Sequence, residues 1–292
     1  MFWQTYKTTV KNLFRSGSFW FMVIIIFGIS AYEAMTGKEI IYLQNSSTGQ
    51  LKQFADTTSV FVLSYSSYIK ILVNVVCANV MYYAIPVFTI VTTALVLNRD
   101  HGDNFYEIEK SSGMTPAVYF VGRISAIVTV TFSVITTACF FSLYFYVFTR
   151  GGIQFAGTAF FVLDSVVRLM RMISVLAFPS ILFYIGITYM IGTISRQGIM
   201  AAIISLSYSV SYFISRLTLR NTVLGMIYFD YFTPRAEKVI DYFYWYDTYE
   251  FQGMIGRTNL TLSQAMFNIF FLSGIFVISS LVSYIITRKR EI

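Results

Sequence analysis

Residues 98–116 hold Asp100, Asp103, Glu107 and Glu109 together with the chain's one histidine, His101. Carboxylates and an imidazole this close in sequence could bind a metal ion or move protons. The pattern favours neither. His101 has only Asp100 and Asp103 close by, which is too few donors for a metal centre. Asp103, Glu107 and Glu109 alternate with Arg99, Lys110 and Arg123, as on a solvated charged face, and His101 reads as a solvated loop histidine. The two cysteines, Cys77 and Cys139, lie in apolar stretches without polar partners or metal-ligand spacing and read as buried free thiols. The sequence contains no G-x-x-x-x-G-K-[S/T] phosphate loop, so the chain does not bind ATP by that route.

The elements that must position this charged island are apolar. The chain is 56% hydrophobic and 12% charged, with a mean hydropathy of +0.65. Soluble domains carry about 25% charged residues, so the polar surface of a soluble globule is missing. Six windows are each long enough to cross roughly 30 Å of hydrocarbon as a helix. They are Phe19–Met35, Leu72–Leu97, Ile124–Phe148, Met172–Ser195, Ile199–Phe213 and Met266–Thr287. Continuous runs of this kind exclude the short alternating strands of a transmembrane barrel. The expected fold is an all-α integral membrane protein with six transmembrane helices in a single domain, 1–292. No small-x-small cleavage site follows the first window, which is expected to remain in the mature chain. Pro86 and Pro179 fall inside the second and fourth windows and are expected to kink them.

Apart from Glu33, near the far end of the first, none of the six windows contains Asp, Glu, Lys, Arg or His. A charge at mid-membrane costs roughly 2.5–3.5 kcal/mol on insertion scales, so one found there usually has a function. The absence argues against proton coupling, while leaving sodium held by backbone carbonyls open. A membrane-embedded enzyme would need a polar cluster at one depth, and the windows offer none. The net charge of +7 then points to anionic lipid headgroups rather than nucleic acid.

Before the first window, Phe2, Tyr6, Val10 and Phe14 recur at helical spacing beside a second stripe of Lys7, Lys11 and Arg15. This describes an interfacial helix over 1–17, rings in the acyl layer and ammonium groups at the phosphates, broken at Ser16-Gly17-Ser18. Lys11 and Arg15 before the first window, and Arg288-Lys289-Arg290 after the last, place both termini in the cytoplasm. The 98–123 loop is then cytoplasmic. A long outer segment, 215–264, carries the aromatic runs Tyr228–Phe232 and Tyr242–Tyr246, as an interfacial or re-entrant element would.

The island itself has local order. Asn104 and Glu107 have capping-box spacing, and Gly113 is placed to end a short helix over Asn104–Ser112. Pro116 then opens the next helical piece. The order Asn98-Arg99-Asp100-x-Gly102-Asp103, then Ser112-Gly113-x-Thr115-Pro116, then Gly122-Arg123, resembles the first cytoplasmic loop of type-two ABC transporter permeases. Asn98 stands where that family has an acid, Asp103 where it has Thr, and Arg123 where it has Lys. The resemblance implies that 98–123 is a coupling helix seated on a separate ATPase subunit. Asp103, Phe105, Tyr106, Glu107, Ile108 and Lys110 would be the contact residues. It also implies a second permease subunit, alike or different, and ATP and Mg held by the ATPase rather than by this chain. The second and fifth windows would line the pathway with Asn79, Tyr82, Tyr83, Thr89, Ser205, Tyr208, Ser211 and Tyr212, residues that helix–helix packing also explains.

Two functions follow as expectations. One is the permease subunit of an ATP-driven exporter in the plasma (inner) membrane, moving an amphipathic or hydrophobic peptide, lipid or drug-like molecule. The other is an ATP-independent transporter or receptor-like scaffold that binds a different soluble partner through the 98–123 loop.

Overall fold

The computed structural model describes residues 1–36, 41–44, 51–54, 84–102, 115–149, 170, 177–218 and 262–289. Among these lie seven helices: α1 Phe2–Phe14, α2 Gly17–Thr36, α3 Ile85–Gly102, α4 Pro116–Thr149, α5 Phe178–Ser195, α6 Gly198–Thr218 and α7 Leu262–Lys289. A short antiparallel ribbon, β1 Ile41–Gln44 and β2 Leu51–Phe54, pairs Ile41 with Phe54 and Gln44 with Leu51. The ribbon is an addition to the all-helical expectation.

Among the described residues, three helices are long and apolar enough to cross a membrane: Pro116–Ser142 within α4, Phe178–Ser195, and Ile269–Lys289 within α7. Together with the composition they mark a membrane protein. The α1–α2 pair meets the same test as one broken unit with a bend of 68°. The bend falls at the expected Ser16-Gly17 break. Arg15 N–H bonds Lys11 O at 3.1 Å and Ser16 N–H bonds Leu13 O at 2.9 Å, which closes the last turn of α1. The Trp20 indole N–H then reaches back to Phe14 O at 2.7 Å.

At the centre sits α5, buried along most of its length from Pro179 to Thr193 and packed against α3, α4, α6 and α7. Small residues bring the backbones together, as they do where no hydrophobic driving force separates helix from lipid. A Cβ added at Gly186 would lie 3.0 Å from Phe276 Cα, so α5 and α7 touch nearly main chain to main chain. Buried hydroxyls bond carbonyls one turn back: Thr93 to Thr89 O at 2.7 Å, Thr193 to Tyr189 O at 2.8 Å, Ser283 to Ser279 O at 2.8 Å. An apolar surrounding leaves such groups few other acceptors. Cys139 is buried and in no disulfide, as its apolar surroundings led us to expect; Cys77 lies outside the described residues.

One boundary differs from the sequence reading. Helix α3 runs past Leu97 to Gly102, so Arg99, Asp100 and His101 belong to its last turns rather than to a loop. Helix α4 begins at Pro116, as expected, and carries Arg123 two turns in. Pro86 and Pro179 each lie near the start of a described helix; the parts of the second and fourth windows that precede them, 72–83 and 172–176, lie outside the described residues, and with them the expected kinks.

Helices α5 and α6 form a hairpin whose turn, Arg196-Gln197, places Arg196 in the left-handed region at φ 59° and ψ 22°. The turn seats Gly198 directly on α3. A Cβ there would overlap the Ala94 carbonyl oxygen and lie 2.6 Å from the Asn98 backbone nitrogen. Gly198→Ala is therefore expected to lower stability by about 1–3 kcal/mol through overpacking against main chain that cannot rotate away. Gly274→Ala, whose Cβ would meet nothing within 4 Å, is expected to be neutral or to stabilise α7 by up to about 1 kcal/mol. Thermal unfolding of the detergent-solubilised variants measures both.

Candidate functional site

The polar centre of the described structure is assembled from three helices. It starts with the face that α1 turns inward, which is Thr5, Thr9 and Leu13 rather than the aromatic stripe. Phe2, Trp3 and Phe14 stay exposed on the outer side. Spacing of four residues puts Thr5, Thr9 and Leu13 on one line of the helix. Opposite them on α4 is Gly122. A Cβ there would sit 3.1 Å from Thr5 Cβ and 3.4 Å from Phe2 O, so the glycine allows α1 to lie directly on α4.

Arg123, the next residue, is 2% exposed and Asp100 on α3 is 6% exposed. Arg123 Nη2 meets Asp100 Oδ1 at 2.8 Å, and Arg123 Nη1 donates to Thr9 Oγ1 at 2.7 Å. The Thr9 hydroxyl donates its own hydrogen bond to Thr5 O at 2.8 Å, which leaves its lone pairs for the guanidinium. The ring of Tyr119 lies under the guanidinium, 5.0 Å from its centroid. Outside this core, Arg99 Nη1 donates to Asn12 O at 3.1 Å, a second tie between α3 and the end of α1. Phe120 meets the rings of Tyr189 on α5 at 5.4 Å and Tyr284 on α7 at 5.9 Å, joining the junction to the bundle centre.

This corrects two readings. Asp100 and Arg123 are not a solvated face, and the spans are not free of charge: Arg123 lies within the apolar stretch Pro116–Ser142. Seven residues into α4, Arg123 sits about 10 Å along the helix axis, near one end of the span rather than at its middle. A cationic side chain at that depth is retained by a carboxylate, a hydroxyl and a ring supplied together. The contacts observed in this group hold three helices together. Among the described residues no three His, Cys, Asp or Glu side chains converge as metal ligands.

Of the other residues picked out in the sequence, Thr89 is buried in α3, and Ser205 of α6 accepts a hydrogen bond from the Thr188 hydroxyl of α5 at 3.0 Å. Tyr208 is half-buried, its ring 6.3 Å from that of Phe183. Ser211 and Tyr212 continue α6. Asp103, Phe105, Tyr106, Glu107, Ile108 and Lys110, with Asn79, Tyr82 and Tyr83, lie outside the described residues, as does 219–261 of the outer segment. Thr5 and Thr9 were not singled out because their stripe is masked in sequence by the larger Phe2–Phe14 stripe beside it. The only available signal was the pairing of small hydroxyl residues at a spacing of four with Gly122-Arg123 elsewhere in the chain.

No family model, no curated protein and no solved structure matches the chain.

Removing one partner of a buried pair leaves the other charge uncompensated, whereas removing both does not. Asp100→Leu and Arg123→Met are each expected to cost about 3–5 kcal/mol, and the double variant to recover most of that loss. Thr9→Val keeps the volume and loses a hydrogen bond to a charged group, for an expected cost of about 1.5–3 kcal/mol. Equilibrium unfolding in mixed micelles gives all four values.

Proposed function

We propose that the chain is the transmembrane subunit of an ATP-driven exporter of the type-two ABC permease kind. In this reading it has six spans with both termini in the cytoplasm of a plasma (inner) membrane. A separate ATPase docks on the loop that joins α3 to α4, hydrolyses ATP with Mg, and works with a second permease subunit of the same or a different chain. The cargo is amphipathic or hydrophobic.

The observation that carries this reading is the Asp100–Arg123–Thr9 junction. Asp100 lies two residues from the end of α3 and Arg123 seven residues from the start of α4, so the pair clamps the two helices that flank the 103–114 segment. The same arginine holds α1 through Thr9. A push on that segment would therefore move α1, α3 and α4 as one body, where a solvated loop would absorb it locally. Transmission between distant sites needs rigid elements of this sort. The motif order around the clamp, Asn98 to Gly102 and Gly122-Arg123, adds the family resemblance.

Two observations test the reading. The chain, purified from its native membrane, is expected to carry an ATPase with it. Ile108→Arg and Glu107→Lys are expected to lower transport-coupled ATP hydrolysis at least about tenfold, the effect of about 1.4 kcal/mol lost at the centre of an interface. Membrane insertion should be unchanged. Full coupling in both variants, or a stable complex that contains no ATPase, would instead favour a scaffold bound to some other soluble protein.

A further inference from the structure

Helix α1 presents two different sides. Thr5, Thr9 and Leu13 form the buried side, and Thr9 there accepts the bond from Arg123. At roughly 3.6 residues per turn, the opposite side runs from Trp3 and Phe14 through Lys7 to Lys11 and Arg15, and all five are exposed. The rings on it are held in place. Trp3 stacks on Tyr6 with their centroids 5.1 Å apart, and Lys7 Nζ lies 5.4 Å from the Trp3 ring. At the other end the Trp20 ring lies 5.8 Å from that of Phe14, while its N–H is bonded to Phe14 O. Indoles settle at a membrane–water boundary, and ammonium groups beside them match the phosphates of anionic lipid.

Two helices of the bundle show the same inverted pattern. In α6, Ala201, Ser205 and Ser209 are buried, while Ile203, Ile204 and Val210 are exposed. In α7, Ser279 and Ser283 are buried, while Ile278 and Leu281 are exposed. Small groups turned inward and large apolar groups turned outward describe helices bathed in lipid. Helix α1 repeats the inversion, with threonines inside and rings outside, and adds cations. Its bend of 68° from the apolar α2 lays it along the membrane surface instead of through it. The occupant that fits its outer side is therefore a lipid surface.

We infer that α1 makes the Arg123 junction responsive to that surface: contact of its outer side with anionic lipid and contact of its inner side with Arg123 stabilise one another. A helix of 13 residues is marginal by itself. Lipid that keeps α1 helical, rings toward the acyl chains and cations toward the phosphates, also fixes which side faces α4. The ordering that Thr9 needs to meet Arg123 is then already in place, and the coupling is reciprocal. The inference does not depend on an ATPase partner.

Amide hydrogen exchange of the full chain tests it in nanodiscs of phosphatidylcholine alone and of equal parts phosphatidylcholine and phosphatidylglycerol. The anionic discs should slow exchange of Thr5–Leu13 and, through the ion pair, of Asn98–Gly102 at the end of α3. Exchange in α5 and α7 should be unchanged. Lys7→Gln with Lys11→Gln should cut the gain on α1 on the order of 25-fold, about fivefold for each surface cation, and reduce the gain on α3 with it. A gain on α1 that the lysine variant keeps in full overturns the surface contact. A gain on α1 with none on α3, or one on α3 that survives in the lysine variant, overturns the coupling. A second measurement leaves the lysines intact. With Trp20→Phe and Trp245→Phe, Trp3 fluorescence should fall about twofold or more in nanodiscs of brominated lipid. Unquenched Trp3 fluorescence overturns the inference, because protein rather than lipid would then cover the outer side of α1.

Discussion

A guanidinium within an apolar helix is the constraint around which the described helices are arranged. Arg123 lies in a stretch of α4 apolar enough to span a membrane, and it is almost completely buried. An ion taken out of water costs several kcal/mol unless its surroundings replace the lost hydration. Here the replacement comes from different helices: the Asp100 carboxylate on α3, the Thr9 hydroxyl on α1, and the Tyr119 ring on α4 itself. The carboxylate and hydroxyl contacts form together only when the three helices lie in one register. The energetic requirement of one side chain thus becomes a geometric requirement on the ends of α1, α3 and α4.

Away from that junction, packing is governed by close backbone approach. Gly122, Gly186 and Gly198 each sit where a methyl group would press on a neighbouring helix. Between them they seat α1 on α4, α5 on α7, and the α5–α6 turn on α3. Serines and threonines in the same region turn their hydroxyls back onto their own helices, so they add little to the links between helices. Among the described residues the specific links between helices include the ion pair, the Arg123–Thr9, Arg99–Asn12 and Thr188–Ser205 hydrogen bonds and the rings of Phe120, Tyr189 and Tyr284. This contrast explains why the junction carries the functional reading. It is a polar link that ties together the helices bordering the 103–114 segment.

Sequence made several of these features visible. The Ser16-Gly17 break, the α5–α6 turn at Arg196 and the apolar core of α4, α5 and α7 follow from helical periodicity and hydropathy, which report strongly on long apolar runs. Burial of the charges was not visible. Asp100 and Arg123 stand in a region rich in acids and bases, and composition cannot distinguish a charge facing water from one facing a partner on another helix. Their pairing spans a sequence separation that only the tertiary fold closes, with the third partner, Thr9, a further 114 residues from Arg123. The docking face of α1 was hidden for a different reason. Large aromatic side chains dominate any measure of amphipathicity, and here they lie on the outer face, while the face that packs is made of Thr5 and Thr9. Small residues pack helices closely in membranes, so the larger stripe was the misleading one.

The central claim is that Arg123 holds α1 onto the ends of α3 and α4. Amide hydrogen exchange in lipid nanodiscs tests it directly, comparing the wild type with the Asp100→Leu, Arg123→Met double variant, which leaves no orphaned charge behind. The account predicts that amides of Thr5–Leu13 exchange at least about tenfold faster in the double variant, as loss of a charged hydrogen bond implies, while those of α5 and α7 are unaffected. Unchanged protection of α1 would contradict it, because the helix would then be held by the membrane surface or by Gly122 packing alone.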